Sequence, residues 1–145
     1  MRNRWVPMPG QTQNVVVVDD DRSMNQAISR LLLAAGFTVQ MFPSAEALLE
    51  SEAAEGAGCL VLDMRLPGMS GLELQQRLKQ EGVDRPVIFI TAHDVPSSQE
   101  QARKAHAVAY LPKPFPGLSL MSAVADALAS HNPTGRSTRN KKDPA

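Results

Sequence analysis

Residues 15–21 read Val-Val-Val-Val-Asp-Asp-Asp, four β-branched residues followed by three acids. β-branched side chains favour the extended backbone of a strand. Because the valines do not alternate with polar residues, the strand they predict has both faces buried, as in a parallel sheet covered by helices on two sides. This stretch therefore favours an α/β fold.

Apolar runs of the same kind recur along the chain and alternate with segments of helical spacing. Further strands are predicted at residues 37–42, 59–62, 86–90 and 109–111. The helices that follow the five strands are expected to bury these residues: Met24, Ile28, Leu31 and Ala35; Ala45, Leu48, Leu49 and Ala53; Leu74 and Leu78; Ala102 and Ala105; Leu118, Met121, Ala125 and Leu128. Five strands alternating with five helices predict a doubly wound, five-stranded parallel sheet.

Length and composition are typical of a single globular domain. The chain has 145 residues, of which 43% are apolar and 21% charged, and this excludes collagen-like and disordered classes. The formal net charge is zero, which excludes a strongly basic nucleic-acid-binding protein. The charge is unevenly spread, since residues 15–130 hold nine basic and fourteen acidic residues. The predicted domain is therefore acidic, and the basic excess lies at the two ends.

The two ends of the chain lack the periodicity of strands or helices. We expect a flexible N-terminal arm at residues 1–13, one domain at residues 14–130 and a flexible basic C-terminal tail at residues 131–145. No apolar run approaches the length of a membrane span, and the first residues lack the apolar core of a secretory signal. With Cys59 as the single cysteine, we expect a cytoplasmic protein with a buried, reduced thiol.

Chemically distinctive residues stand at the carboxyl ends of four predicted strands. Residues 19–21 follow the first strand, Asp63 the third, Thr91 the fourth and Lys113 the fifth. Because the carboxyl ends of parallel strands meet at one edge of a sheet, we expect these groups to form one site. Several carboxylates there repel one another unless a cation offsets them, and Mg²⁺ accepts carboxylate, water and phosphate oxygens. A carboxylate can also attack phosphorus to give an aspartyl phosphate.

Each of these residues also has an ordinary structural explanation. The acids at residues 19–21 can cap a helix, and Asp63 can open the turn before Pro67. Thr91 can be a plain strand-end hydroxyl, and Lys113 can be a solvated loop cation. The conjunction at four strand ends nevertheless favours one site over four separate explanations.

Four motifs in this order strongly resemble the response regulator receiver domain of bacterial two-component systems. They are Val-Val-Asp-Asp-Asp at residues 17–21, Leu-Val-Leu-Asp-Met-Arg-Leu-Pro-Gly-Met-Ser-Gly at 60–71, Ile-Phe-Ile-Thr-Ala at 88–92 and Tyr-Leu-Pro-Lys-Pro-Phe at 110–115. The wording around Asp63 is most similar to receivers of the nitrogen-fixation-regulator type. The resemblance implies a flavodoxin-like (βα)5 fold with strand order 2-1-3-4-5.

The same resemblance implies a phosphoryl-accepting switch. Asp63 matches the residue that takes phosphate from a histidine kinase or phosphotransfer protein in an Mg²⁺-dependent reaction. The resemblance assigns further roles as follows: Asp20 as the direct metal ligand, Asp19 as an acid acting through bound water, Arg65 as a backbone-carbonyl ligand, and Lys113, before a cis bond to Pro114, as the contact to phosphate. It also implies a protein that is not an enzyme beyond its self-catalysed phosphorylation and dephosphorylation.

Switching and its timing are assigned to four further side-chain positions. Thr91 matches the hydroxyl that turns toward the phosphoryl group, and Tyr110 matches the aromatic that changes rotamer with it; otherwise Tyr110 is a half-buried edge aromatic. Arg65 and His93 each lie two residues beyond a site residue. We interpret them as groups that tune the phosphoryl lifetime, the alternative being two solvated loop side chains.

The fourth helix, fifth strand and fifth helix are predicted to form the output face, for a partner or for homodimerisation. His106, Val108 and Met121 are expected on or near it, and the fourth helix is expected to move easily because Ala102 and Ala105 offer little area to bury. We expect no specific nucleic-acid contact and no membrane contact. The sequence does not identify the kinase, the output partner or the active oligomer. It also leaves open whether the chain is a complete single-domain regulator or a fragment of a transcription factor.

Two other functions compete with this interpretation. A phosphatase with an Asp nucleophile would carry a second acid two residues after it, where this chain has Arg65 after Asp63. An inactive receiver used as a scaffold is disfavoured because every site position is filled.

Overall fold

Five parallel strands form one sheet between two layers of helices in the computed structural model, which describes residues 14–130. The elements in chain order are β1 (Asn14–Val18), α1 (Arg22–Ala34), β2 (Thr38–Phe42), α2 (Ala45–Ser51), a 3₁₀ turn (Ala53–Gly56), β3 (Cys59–Asp63), α3 (Gly71–Gln80), β4 (Val87–Thr91), α4 (Pro96–Lys104), β5 (Ala109–Pro112) and α5 (Gly117–Ser130). The strand order β2-β1-β3-β4-β5 confirms the predicted doubly wound fold. The expected arm and tail lie outside the described residues.

The valines of β1 contact both helical layers, as their sequence predicts. Val16 and Val18 belong to an apolar cluster with Leu48 of α2, Leu74 of α3 and Phe89 of β4. The alternate residues of β1 belong to a second cluster on the other face of the sheet, together with Ile28, Leu32, Leu120 and Val124 of α1 and α5. Because successive strand residues point to opposite faces, one β-branched run supplies both layers of the core.

Side-chain caps fix where three helices begin. The Asp21 carboxylate accepts hydrogen bonds from the backbone N–H groups of Ser23 and Met24, at 2.9 and 3.3 Å, and so starts α1. Ser44 caps α2, and Ser70 forms a capping box with Glu73 at the start of α3. The third acid of the Asp run is therefore a helix cap, as its structural explanation required.

The predicted faces of two helices are correct only in part. On α1, Ile28 is buried and Met24 and Leu31 pack against the core as expected, and on α5 Leu128 packs against it. α5 buries Leu120, Ala123, Val124 and Ala127, whereas Leu118 is 76% exposed and Ala125 is exposed. α1 buries Asn25, Ile28 and Leu32, and Ala35 is an exposed residue that ends the helix.

Within residues 14–130, no helix combines the length and the hydropathy that a membrane crossing requires.

Candidate functional site

The strand register brings the acids to one edge of the sheet. Val18, the last residue of β1, pairs with Leu62 of β3, and the next residues along the two strands are Asp19 and Asp63. Asp19, Asp20 and Asp63 each offer a carboxylate oxygen, and these three oxygens lie within 4.8 Å of one another. Asp19 and Asp63 are buried, whereas Asp20 is exposed. The expected convergence of the three acids is therefore present.

Lys113 joins two of these acids. Its Nζ donates to Asp19 Oδ2 at 2.7 Å and to Asp63 Oδ2 at 2.9 Å. The lysine follows β5, and its peptide bond to Pro114 is cis, as the resemblance implied. One ammonium offsets only one of three carboxylates, so the cluster retains negative charge for which a divalent cation is a suitable counterion.

Burial and pairing act in opposite directions on this ion pair. Burial raises the pKa of Asp19 above its ordinary value, and the hydrogen bond from Lys113 only partly offsets this effect. For Lys113, burial lowers the pKa, but the hydrogen bonds to Asp19 and Asp63 outweigh it and the pKa lies above its usual range. Lys113 therefore carries its positive charge beside the Asp63 carboxylate at neutral pH.

The backbone around Asp63 is tightly constrained. Its Oδ1 accepts a hydrogen bond of 2.9 Å from the backbone N–H of Arg65, while Oδ2 accepts from Lys113. Gly71, at the start of α3, packs directly against the Asp63 carbonyl, and a Cβ at position 71 would lie 2.3 Å from that oxygen. Only glycine leaves room for this approach, so Gly71 allows the start of α3 to pack against the backbone of Asp63.

The donor set fits Mg²⁺. Three carboxylate oxygens from Asp19, Asp20 and Asp63 are hard ligands, and Mg²⁺ takes one or two carboxylates while it keeps several waters. The exposure of Asp20 leaves the cluster open to solvent on one side, which a hydrated ion requires. The cation predicted from the strand ends therefore has a suitable place between these acids.

Asn25 contributes to the site and was missed in the sequence. It is buried on α1, and its Nδ2 donates to the carbonyl oxygens of Asp19, at 2.7 Å, and Phe42, at 3.3 Å. These bonds tie the ends of β1 and β2 together beside a cavity of about 440 Å³ that is lined by Asp20, Arg22 and Pro43 among others. A polar residue inside the apolar stripe of α1 was the available signal.

The predicted switch residues are arranged around the loop between β4 and α4. Thr91 is buried, and its Oγ1 accepts a hydrogen bond of 3.0 Å from the backbone N–H of His93. Tyr110 is half-buried, and its hydroxyl donates to Asp94 Oδ1 at 3.0 Å. Arg65 and His93 are exposed on the loops that follow β3 and β4, at the same edge as Asp63.

Comparisons with known proteins point to one family. The family described as response regulator receiver domain matches residues 15–125. Nodulation protein W of Bradyrhizobium diazoefficiens is 43% identical over 114 residues, which are 78% of this chain and 50% of that protein. Transcriptional regulatory protein FixJ of the same organism is 36% identical over 131 residues, which are 90% of this chain and 63% of that protein.

A solved structure of response regulator StyR has a TM-score of 0.74 and 46% identity, covering 81% of this chain and 60% of that one. The similarity to FixJ and nodulation protein W agrees with the nitrogen-fixation-type wording of the motif around Asp63. This chain spans about half the length of the curated relatives it matches, from 50% to 63% of those named above.

Proposed function

Because this chain belongs to the family of response regulator receiver domains, we propose that it accepts a phosphoryl group on Asp63 and changes its surface in response. The donor is a histidine kinase or a phosphotransfer protein. One observation carries the proposal: the Asp63 carboxylate lies within a cluster of three acids while its Oδ2 is bound by Lys113 at 2.9 Å. That arrangement suits phosphoryl transfer, which needs positioning and charge stabilisation more than proton abstraction.

The transfer itself uses few groups. A carboxylate oxygen of Asp63 attacks phosphorus, the bond from phosphorus to the donor's imidazole nitrogen breaks, and the electron pair leaves with that nitrogen. An ionised carboxylate needs no general base. Lys113 stabilises the negative charge of the phosphoryl oxygens. Asp20, Asp63 and the Arg65 carbonyl would hold Mg²⁺, with Asp19 acting through bound water, and the metal supplies further charge neutralisation.

Arg65 separates this chemistry from that of a phosphatase with an Asp nucleophile. The backbone N–H of Arg65 holds Asp63 Oδ1, and its side chain brings a cation where such enzymes carry an acid. The chain thus lacks an acid/base residue at that position. We propose that Arg65 and the exposed His93 instead flank the path of attacking water and set how long the phosphoryl group persists.

The phosphoryl group adds nearly two negative charges and three acceptor oxygens at Asp63. In the proposed switch Thr91 turns its hydroxyl toward these oxygens and Tyr110 changes rotamer. The result is a different α4–β5–α5 face, which binds a partner or a second copy. His106 and Val108 are exposed between α4 and β5, and Met121 of α5 is half-buried. The domain at residues 14–130 acts in the cytoplasm. Its output is transcription, which is supported by the similarity to FixJ, a protein named as a transcriptional regulatory protein.

The proposal is tested by incubation with acetyl phosphate and Mg²⁺, followed by intact-mass measurement. The wild type is expected to gain one phosphoryl group and Asp63→Asn none. Asp84→Asn is the matched control, because Asp84 is an exposed acid before β4, at the opposite edge of the sheet. A wild type that stays unmodified, or an Asp63→Asn variant that is modified equally, would contradict the proposal.

The role of Arg65 and His93 has a separate test. Replacing both with Ala and timing the loss of the phosphoryl group is expected to change the lifetime. An unchanged rate would show that they are solvated side chains without a role in timing.

A further inference from the structure

Asp94 connects three elements through one carboxylate oxygen. It lies between β4 and α4, and its Oδ1 accepts hydrogen bonds from the Tyr110 hydroxyl of β5, at 3.0 Å, and from Gln99 Nε2 of α4, at 2.8 Å. Hydrogen bonds to a charged acceptor are stronger than those between neutral groups. Asp94 is therefore placed to hold the Tyr110 ring and the first turns of α4 in one arrangement.

The same short segment is attached to Thr91. The Thr91 hydroxyl accepts from the His93 N–H at 3.0 Å, and the Val95 N–H donates to the His93 carbonyl at 3.1 Å. Asp94 lies between His93 and Val95. The short segment 93–95 therefore carries the Asp94 carboxylate and is itself bonded to the Thr91 hydroxyl through the N–H of His93. A Thr91 hydroxyl that turns toward Asp63 must give up the bond to His93, which is one of the bonds that fix the segment.

Few apolar side chains hold α4 in place. The helix buries Ser98 and Ala102, and both are small. Its first residue is Pro96, and the residue before it, Val95, caps the helix without a side-chain hydrogen bond. Since buried apolar area is the main source of helix anchoring, α4 depends on polar contacts more than the other helices do. These contacts are the bond to Asp94 at its N-terminal end and a hydrogen bond of 3.1 Å from Gln75 Nε2 to the Ala105 carbonyl at its C-terminal end.

We propose that Asp94 is a positioning residue that holds Tyr110 and α4 in the resting arrangement, and that capture of the Thr91 hydroxyl by a phosphoryl group at Asp63 releases this hold. The second half of the statement rests on the function proposed above, whereas the first half does not. Removal of the carboxylate then shifts the protein toward the released arrangement without phosphate.

Tyr110 provides a specific probe because it is the only tyrosine of the chain. Burial raises its pKa above the ordinary value, and the hydrogen bond to Asp94 raises it further. In Asp94→Ala the pKa of Tyr110, read from ultraviolet absorbance, is expected to fall part of the way back, because the burial remains. Glu100→Gln is the control, since Glu100 is an exposed acid of α4 that pairs with Arg103.

Amide hydrogen exchange tests the hold on α4 without phosphate. Loss of the two hydrogen bonds is expected to speed exchange in α4 about fivefold to tenfold in Asp94→Ala, and to leave α5 unchanged. Glu100→Gln should leave the Tyr110 pKa unchanged and should reproduce less of the acceleration in α4. An Asp94→Ala variant whose α4 exchange and Tyr110 pKa match the wild type would overturn the proposal.

Ring resonances of Tyr110 distinguish this failure from a failure of the proposed function. In the wild type they are expected to move when beryllofluoride and Mg²⁺ are added, and in Asp94→Ala the resting position is expected to lie part of the way toward that end point. A wild type whose Tyr110 does not respond overturns the phosphoryl switch and the release step. A responsive wild type with an Asp94→Ala variant at the wild-type resting position overturns the hold by Asp94.

Discussion

α4 and α5 both neighbour the edge strand β5, but the core holds them very differently. α5 buries Leu120, Ala123, Val124 and Ala127 in the cluster it shares with α1, whereas α4 buries only Ser98 and Ala102. α5 has one charged residue, and α4 has three in nine residues. The contrast indicates that α4 can move more easily than α5. α5 is anchored by buried apolar area, and α4 by polar bonds that can exchange their partners.

The kind of anchor matters for a switch. Buried apolar area is lost in proportion to displacement, so a helix like α5 resists movement. A hydrogen bond to the Asp94 carboxylate can be exchanged for one to another partner at a net cost of about 1 kcal/mol. If Asp63 is phosphorylated as proposed, the phosphoryl group is expected to rearrange α4, whereas α5 should stay in place.

The largest effect is expected from weakening the apolar packing of α5. Leu120→Ala should lower the free energy of unfolding by about 2–5 kcal/mol, because it leaves a cavity in a fully buried cluster. Urea denaturation measures this loss. Leu118→Ala is the matched control on the same helix, and should change stability by no more than about 0.5 kcal/mol because Leu118 is 76% exposed. Equal losses for the two variants would show that α5 packs by another face.

Native-state hydrogen exchange compares the two helices in the unaltered protein. The burial of Leu120 and Val124, against Ala102 alone, corresponds to about 3 kcal/mol of apolar transfer. Amides of α4 are therefore expected to exchange on the order of a hundredfold faster than the best protected amides of α5. Similar protection in the two helices would remove the basis of the comparison.

A smaller effect is expected from loosening α4 directly. Ala102→Gly should lower the stability of the helix by about 1 kcal/mol through the helix propensity of glycine. Exchange in α4 should accelerate while exchange in α5 stays the same. The matched variant is Ala127→Gly in α5, which should lower global stability, as seen by urea denaturation, without selective opening of its own helix.

The smallest effect is expected from alkaline pH, because Lys113 is only partly buried. Its folded-state pKa lies above the ordinary 10.5, so its contribution to stability is complete below that pH and is lost as pH rises through the folded-state pKa. Tyr110, with a pKa raised above 10.0, acts in the same direction. The measurement therefore compares Tyr110→Phe with the double variant Tyr110→Phe, Lys113→Met, in which the alkaline loss should be smaller.

The sequence predicted the strands and the sheet well, for a physical reason. β1, β3 and β4 are continuous β-branched or apolar runs with both faces buried, so their identity did not depend on which face was inward. For α5, by contrast, the prediction depended on choosing which face is buried, and most of that choice was wrong. Its single charge, Asp126, marks no polar face, and Leu118, Met121, Ala125 and Leu128 make as regular a stripe as the residues that the core actually buries.

The site was predictable to the extent that topology alone decides it. Asp19, Asp20, Asp63 and Lys113 converge because parallel strands end at one edge. The contacts of Asn25 with Asp19 and Phe42, and of Asp94 with Tyr110, were not predicted. They join residues 6 to 17 positions apart through side-chain rotamers, which hydrophobic patterning does not encode.

NMR spectroscopy tests whether phosphorylation of Asp63 moves α4 and Tyr110 while α5 stays in place. Spectra of the wild type are recorded with and without beryllofluoride and Mg²⁺, with Asp63→Asn as the control that should show no response. We expect large shifts for the amides of α4 and the ring of Tyr110, and small shifts for the methyl groups of Leu120 and Val124. Shifts in Leu120 and Val124 as large as those in α4, or shifts confined to the neighbours of Asp63, would contradict it.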